Sequence, residues 1–189
     1  MRWPLVLATA ALCACTATPP ADEAPAAPAP STETAGPTPT GPPRPITIAV
    51  AGDIHFEGPL RARLDDPATA LAPVTGTLAA ADPAIVNPET SVGAGGRPDP
   101  SKRFTFRAPP AAFEALAEAG IDVVSMANNH ALDFGRALLQ ETFDESEPLL
   151  TVVGVGRDID EAFAPARTEI RGTVVATIGG DPGLHRPDR

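Results

Sequence analysis

The chain is predicted to be an α/β protein, and three observations carry that expectation. Apolar runs of strand length, at residues 46–51, 84–86 and 121–124, alternate with stretches whose apolar residues recur at helical spacing. Each run is followed within a few residues by carboxylate, amide or imidazole side chains. One intervening segment, 109–120, also carries Pro where a helix would start and Gly where it would end. In open α/β sheets, ligands bind beyond the carboxyl ends of the strands. Three polar strand endings therefore converge if the strands are parallel neighbours.

Taken in order, residues 46–51 form the first strand, followed by Gly52, Asp53 and His55. A helix is expected over 67–80. The run 84–86 is the second strand and leads into Asn87, Pro88, Glu89 and Thr90. Residues 91–103, rich in Gly, Pro and charge, read as a long loop beside the strand ends, with Lys102 and Arg103 on a solvated face. A second helix is expected over 109–119, because Phe113, Leu116 and Ala117 fall at i, i+3 and i+4. Pro109 and Pro110 suit its first turn and Gly120 its end. The third strand, 121–124, runs into Asn128, Asn129, His130 and Asp133. A third helix is expected over 135–146, with Ala137, Leu138, Thr142 and Phe143 facing inward. Residues 151–153, 167–170 and 173–178 read as later strands, with a short helix over 158–163.

What precedes the first strand is read as targeting and tether. Arg2 followed by a short apolar run is too short for a membrane span and suits a signal peptide. Leu12, Cys13, Ala14 and Cys15 resemble a lipobox, in which Cys15 is lipidated and residues 1–15 form the signal segment. The expected location is the extracytoplasmic face of the cell membrane, with an ordinary secreted chain as the alternative. Residues 16–45 form a linker of Pro, Ala, Thr and Glu, too poor in large apolar side chains to offset the entropy of ordering it. The folded domain is expected over 46–180 and an irregular tail over 181–189. Both cysteines lie in the leader, so the domain has no disulfide framework and no thiolate nucleophile.

Charge excludes one class of partner. The 189-residue chain has a net charge of −10 and 4% aromatic residues, with no Tyr. Nucleic acid is not expected, since phosphate binding needs concentrated Lys and Arg, and base stacking needs aromatics.

The strand-end clusters have a chemistry of their own. A hard or borderline divalent cation takes carboxylate, amide oxygen and neutral imidazole, and Asp53, Glu89, Asn129 and His130 supply that mixture. A turn with a helix cap is the structural alternative at residues 128–133, because Asn tolerates left-handed backbone and Asp caps helices. Asn87 closes a turn before Pro88 or contacts substrate. Arg107 binds an anionic substrate group or forms an ordinary salt bridge. Asn128 contacts substrate or only shapes the loop.

Gly52-Asp53, Asn87-x-Glu89, residues 104–107 (Phe-Thr-Phe-Arg) and Asn128-Asn129-His130 with Asp133-x-Gly135 stand in an order and spacing that resembles the CapA-like proteins. That family is associated with bacterial poly-γ-glutamate capsule synthesis, within the calcineurin-like metallophosphoesterases. The resemblance runs from about residue 46 to about residue 179; Pro88 stands where an apolar residue is more usual. It implies a four-layer α/β/β/α sandwich, of which this chain holds the first part. It also implies divalent metal ions, two in a complete homologue (Mn, Fe or Zn). Asp53 would be a terminal ligand and Glu89 the bridging one. Asn129 would bind the second metal, His130 would hydrogen-bond a transferring oxygen, and Asp133 would orient His130. His55 forms Asp-x-His with Asp53, a ligand spacing in metallophosphoesterases, although CapA-like proteins often carry an apolar residue there.

The family's later His-Trp-Gly-type and His-x-His-type segments have no counterpart here, since His185 matches neither. The expectation is therefore a chain cut short. Two functions follow. The first is an envelope-anchored protein of capsule-polymer synthesis or handling, acting on a cell-surface polymer or a phosphoester. The second is a non-catalytic remnant or binding module with an incomplete metal site.

Overall fold

The computed structural model describes residues 45–181. The leader, Cys15, most of the linker, the end of the tail and His185 lie outside the described residues. Within them the α/β class holds. Strands β1 (Ala49–Ile54), β2 (Ala84–Pro88), β5 (Val123–Ser125) and β6 (Thr151–Val153) form one parallel sheet in the order β1-β2-β5-β6. A second parallel pair joins β3 (Ser91–Val92) to β4 (Arg107–Ala108), and β7 (Ala166–Ile170) with β8 (Thr173–Thr177) makes an antiparallel hairpin. Of the four layers that the resemblance implies, the described residues hold one four-stranded sheet, these two short ladders and the helices.

Helix α3 (Ala111–Glu118) shows how sequence sets an element and its end. Ala112, Phe113, Ala115 and Leu116 are buried, which is one face of a 3.6-residue repeat. Beyond the helix, Gly120 takes φ +80°, its N–H bonds to Ala117 O, and Ile121 N–H bonds to Leu116 O. That is a Schellman stop, with Ile121 and Leu116 both buried beside it. A Cβ at Gly120 would also stand 2.6 Å from the Ala79 Cβ, so helix end and close approach require the same glycine. Asp122 then sets register: its carboxylate accepts from Ala84 N–H, and its carbonyl from Thr151 N–H.

Four local expectations are corrected. The helix over 67–80 breaks at Leu71 into α1 (Pro67–Ala70) and α2 (Ala72–Leu78), because Pro73 has no N–H and its ring crowds the carbonyl four residues back. The loop over 91–103 begins as strand β3, paired with β4 through Ser91 N–H to Phe106 O and Gly93 N–H to Ala108 O. On α4 (Arg136–Ser146) the buried face is Leu138, Leu139, Thr142 and Ser146; Ala137 is exposed and Phe143 half-buried under the Arg157 guanidinium. Finally, β1 starts later than residue 46 and continues through Gly52 and Asp53 to Ile54.

That last shift matters for the site. Val50 pairs with Ile85 but Asp53 pairs with Asn87, so β1 uses three residues where β2 uses two. A bulge of this kind re-aims side chains at a strand end. It brings the Asp53 carboxylate against the Asn87 amide.

Candidate metal centre

Asp53, Asn87 and Glu89 come together at the carboxyl ends of β1 and β2. The Asn87 amide nitrogen donates to Asp53 Oδ1 and to Glu89 Oε1, each at 2.8 Å. Its oxygen accepts from Asn128 Nδ2 at 2.9 Å. One amide thus gathers two carboxylates and ties β2 to the turn after β5.

Asn128 is the keystone of that turn. Its Nδ2 donates to Asn87 Oδ1 and Pro88 O, and its Oδ1 accepts from His130 N–H and Ala131 N–H, all within 2.9 Å. Every donor and acceptor of the amide is taken by protein groups, so it shapes the loop. Ser91 adds a second clasp, its hydroxyl donating to the carbonyls of His130 and Ala131.

His130 is held from three sides. Its Nδ1 lies 2.7 Å from Asp133 Oδ2, its ring stacks on Phe106 at 4.4 Å between centroids, and its Nε2 stands 3.9 Å from Glu89 Oε2. With Nδ1–H donating to the carboxylate, the neutral ring carries its lone pair on Nε2, facing Glu89. Two acceptors then face each other beyond hydrogen-bond distance, an arrangement that a proton or a cation between them would relieve. Phe106 stacks on its other side against His55, at 5.1 Å, so His55 belongs to an aromatic stack, and its Nδ1 accepts from Glu57 N–H.

Asp133 is fully buried, and three donors meet it: Lys102 Nζ at 2.5 Å, Phe106 N–H at 2.6 Å and His130 Nδ1 at 2.7 Å. Burial pushes its carboxyl up, but the hydrogen bonds from Lys102, His130 and Phe106 hold it below the usual carboxylate range. This corrects the expectation for Lys102, which is not a solvated loop residue but the counter-ion of Asp133. Its signal was present only indirectly, since a carboxylate on a turn between buried residues demands a cation from somewhere in the chain. Phe106 between two imidazoles was likewise invisible from spacing.

Arg107 faces the loop instead of open solvent. Its Nη1 donates to the carbonyls of Ala94 and Gly95 at 3.1 Å, and its guanidinium lies 4.6 Å from the Phe134 ring centre. Glu141 of α4 accepts from the N–H groups of Ala94 and Gly95, so the glycine-rich loop is gripped by both charges. Asn129 is exposed, and its carbonyl accepts from Lys102 Nζ.

The donor set fits a hard divalent cation in kind and only partly in number. Asp53 and Glu89 offer carboxylate oxygens around one amide, and imidazole is adjacent. Among the described residues, no group of three or more His, Cys, Asp or Glu stands close enough to hold a metal ion. No helix of the described residues is long and apolar enough to cross a membrane.

Fold and cluster together define an α/β protein with a polar site beyond the carboxyl ends of parallel strands. Residues 47–188 match the family of bacterial capsule synthesis proteins, PGA_cap, and the chain belongs to that family. No curated protein matches the chain.

Proposed function

We propose that the chain is a CapA-like envelope protein that synthesises or handles a capsule polymer through a divalent-metal site begun by Asp53 and Glu89. Membership of the capsule synthesis family supports the biological role. The observation that carries the site is the Asn87 amide, whose nitrogen lies 2.8 Å from both carboxylates. Asp53 and Glu89 would hold the first metal, with Glu89 in the bridging place of a dinuclear centre; Asn129 and His55 are the further candidate ligands. A bound divalent ion of the Mn, Fe or Zn kind would supply a Lewis acid for water and for a phosphoryl or amide oxygen.

The remaining chemistry belongs to the chain. His130 presents Nε2 toward Glu89 and is suited to hydrogen-bond a transferring or leaving oxygen, while Asp133 fixes the proton on Nδ1. Asn87, Asn128 and Arg107 would line the side on which an anionic polymer or a phosphoester binds, Asn128 by shaping the loop and Arg107 by holding the carbonyls of Ala94 and Gly95. Cys15 is proposed as the lipid attachment that holds the domain at the outer face of the membrane. Loss of membrane association in Cys15→Ser would support that anchor, and retention would remove it.

A second reading has its own observation. The lack of a three-residue His, Cys, Asp or Glu group among the described residues favours a binding module or remnant with an incomplete site. Calorimetric titration of the full chain with Mn²⁺ and Zn²⁺ separates the two. Saturable binding that Asp53→Ala and Glu89→Ala both abolish supports the metal site. Absence of binding, together with no hydrolysis of a generic phosphodiester, leaves the binding module.

A further inference from the structure

We propose that Lys102 is a positioning residue for the proposed site: its ammonium joins the Asn129 carbonyl to the Asp133 carboxylate and so fixes the tautomer and orientation of the His130 ring. Its meaning for metal or substrate rests on the function proposed above; the geometry of the grip does not.

The loop that delivers Lys102 is itself fixed. Asp99 N–H bonds to Asp133 O at 2.8 Å, and Asp99 Oδ1 accepts from the N–H and hydroxyl of Ser101. Lys102 N–H closes the turn on Asp99 O. The side chain then runs inward, 29% exposed, to a carboxylate that is fully buried. Asp133 divides its oxygens: Oδ1 takes the ammonium, and Oδ2 takes Phe106 N–H and His130 Nδ1. The same loop brings the Phe106 ring onto the face of His130. Residues 99–106 thus grip His130 twice, once through Asp133 and once through the ring.

Lysine suits this place because its ammonium is a compact charge with several donors on a flexible stem. Two of those donors go to Asp133 and to Asn129 O. Asn129 and His130 are adjacent, so a single cation anchors the backbone on one side of the imidazole and its hydrogen-bond partner on the other. Without the ammonium, Oδ1 is left as a buried acceptor with no donor among the described residues. The carboxylate relieves this by turning, which spoils the approach of Oδ2 to Nδ1 and frees the ring to adopt the other tautomer.

The test is ring ¹H–¹⁵N correlation of the full chain labelled at histidine, with His130 assigned by His130→Gln. Wild type is expected to show the Nδ1–H form alone. In Lys102→Met the Nε2–H form should become populated to roughly half or more, whereas Lys102→Arg, which keeps the charge, should restore the wild-type pattern. A folded Lys102→Met with an unchanged His130 signal overturns the proposal. If that variant does not fold, wild type decides: a slowly exchanging ζ-ammonium signal from Lys102 supports the grip, and a solvent-averaged one overturns it. Mn²⁺ titration of the same proteins separates this proposal from the metal reading. No Mn²⁺ binding by wild type, together with the ring change in Lys102→Met, sinks the metal site and keeps the positioning role. Where wild type does bind, Lys102→Met is expected to lose about 10-fold in affinity.

Discussion

The two sides of the candidate site are built differently. On the His130 side, the turn between β5 and α4 buries Asn128 and Asp133, and the polar side-chain atoms of both have named partners. On the Asp53 side, β1 lies at the edge of the sheet with four of its six residues exposed, Val50 at 76% among them. Strands of a parallel sheet are ordinarily covered on both faces. β2 and β5 meet that description, and β1 does not. Rigidity of the site therefore comes from the turn, while Asp53 is placed by a bulge and one amide. A site made this way has one half pre-formed and one half free to adjust to what it binds.

The sharpest way to break this contrast is to remove the buried carboxylate. Asp133→Ala strands Lys102, His130 and Phe106 N–H at once, and truncating one partner of a buried ion pair costs about 3–5 kcal/mol. Urea denaturation should read that loss, whereas Asp53→Ala, at an exposed position, should stay within about 0.5 kcal/mol. Equal losses at the two positions would show that both sides are equally built.

Acid should find the same asymmetry. The folded carboxyl of Asp133 lies below its unfolded value of 3.8, so its stabilising contribution is complete above that value. It declines as pH falls through the folded pKa and is gone below both. Wild type should lose more stability than Asp133→Asn between about pH 5 and about pH 2, and parallel curves for the two proteins would contradict the assignment.

How far the sequence reaches follows the same division. Alternation of apolar runs and helical spacing made the α/β class legible, and residues 151–153 matched β6 as read. The convergence of Asp53, Asn87, Glu89 and His130 was legible because each sits at a strand end, where topology does the assembling. What stayed hidden depends on side-chain geometry across long separations. Lys102 reaches Asp133 across 31 positions and Asn128 reaches Asn87 across 41, and no local spacing encodes either pair. The bulge in β1 was hidden too, because only pairing with β2 shows that a residue is extra.

A smaller effect sharpens the contrast on the rigid side. The Thr142 hydroxyl donates to Val92 O at 2.8 Å and fastens α4 to the short β3 strand next to the site. Thr142→Val keeps the shape and removes the donor, leaving a buried carbonyl unpaired at a cost of about 1–3 kcal/mol. Thermal melting should show the loss, with the His130 ring signals unmoved. A change in those signals would mean that the turn leans on α4 more than its own hydrogen bonds imply.

The smallest expected effect lies on β1 and tests whether its outer face is bare in solution. Val50 is 76% exposed, so Val50→Thr keeps the β-branched shape and should change stability by less than about 0.5 kcal/mol. Val50→Lys, equally compatible with an exposed edge, should be as mild. If either costs more than about 1 kcal/mol, apolar surface at Val50 is being removed from water by something that packs on β1. In that case Asp53, three residues along the same strand, would be held as firmly as His130. The pre-formed and adjustable halves of the site would then be one rigid whole.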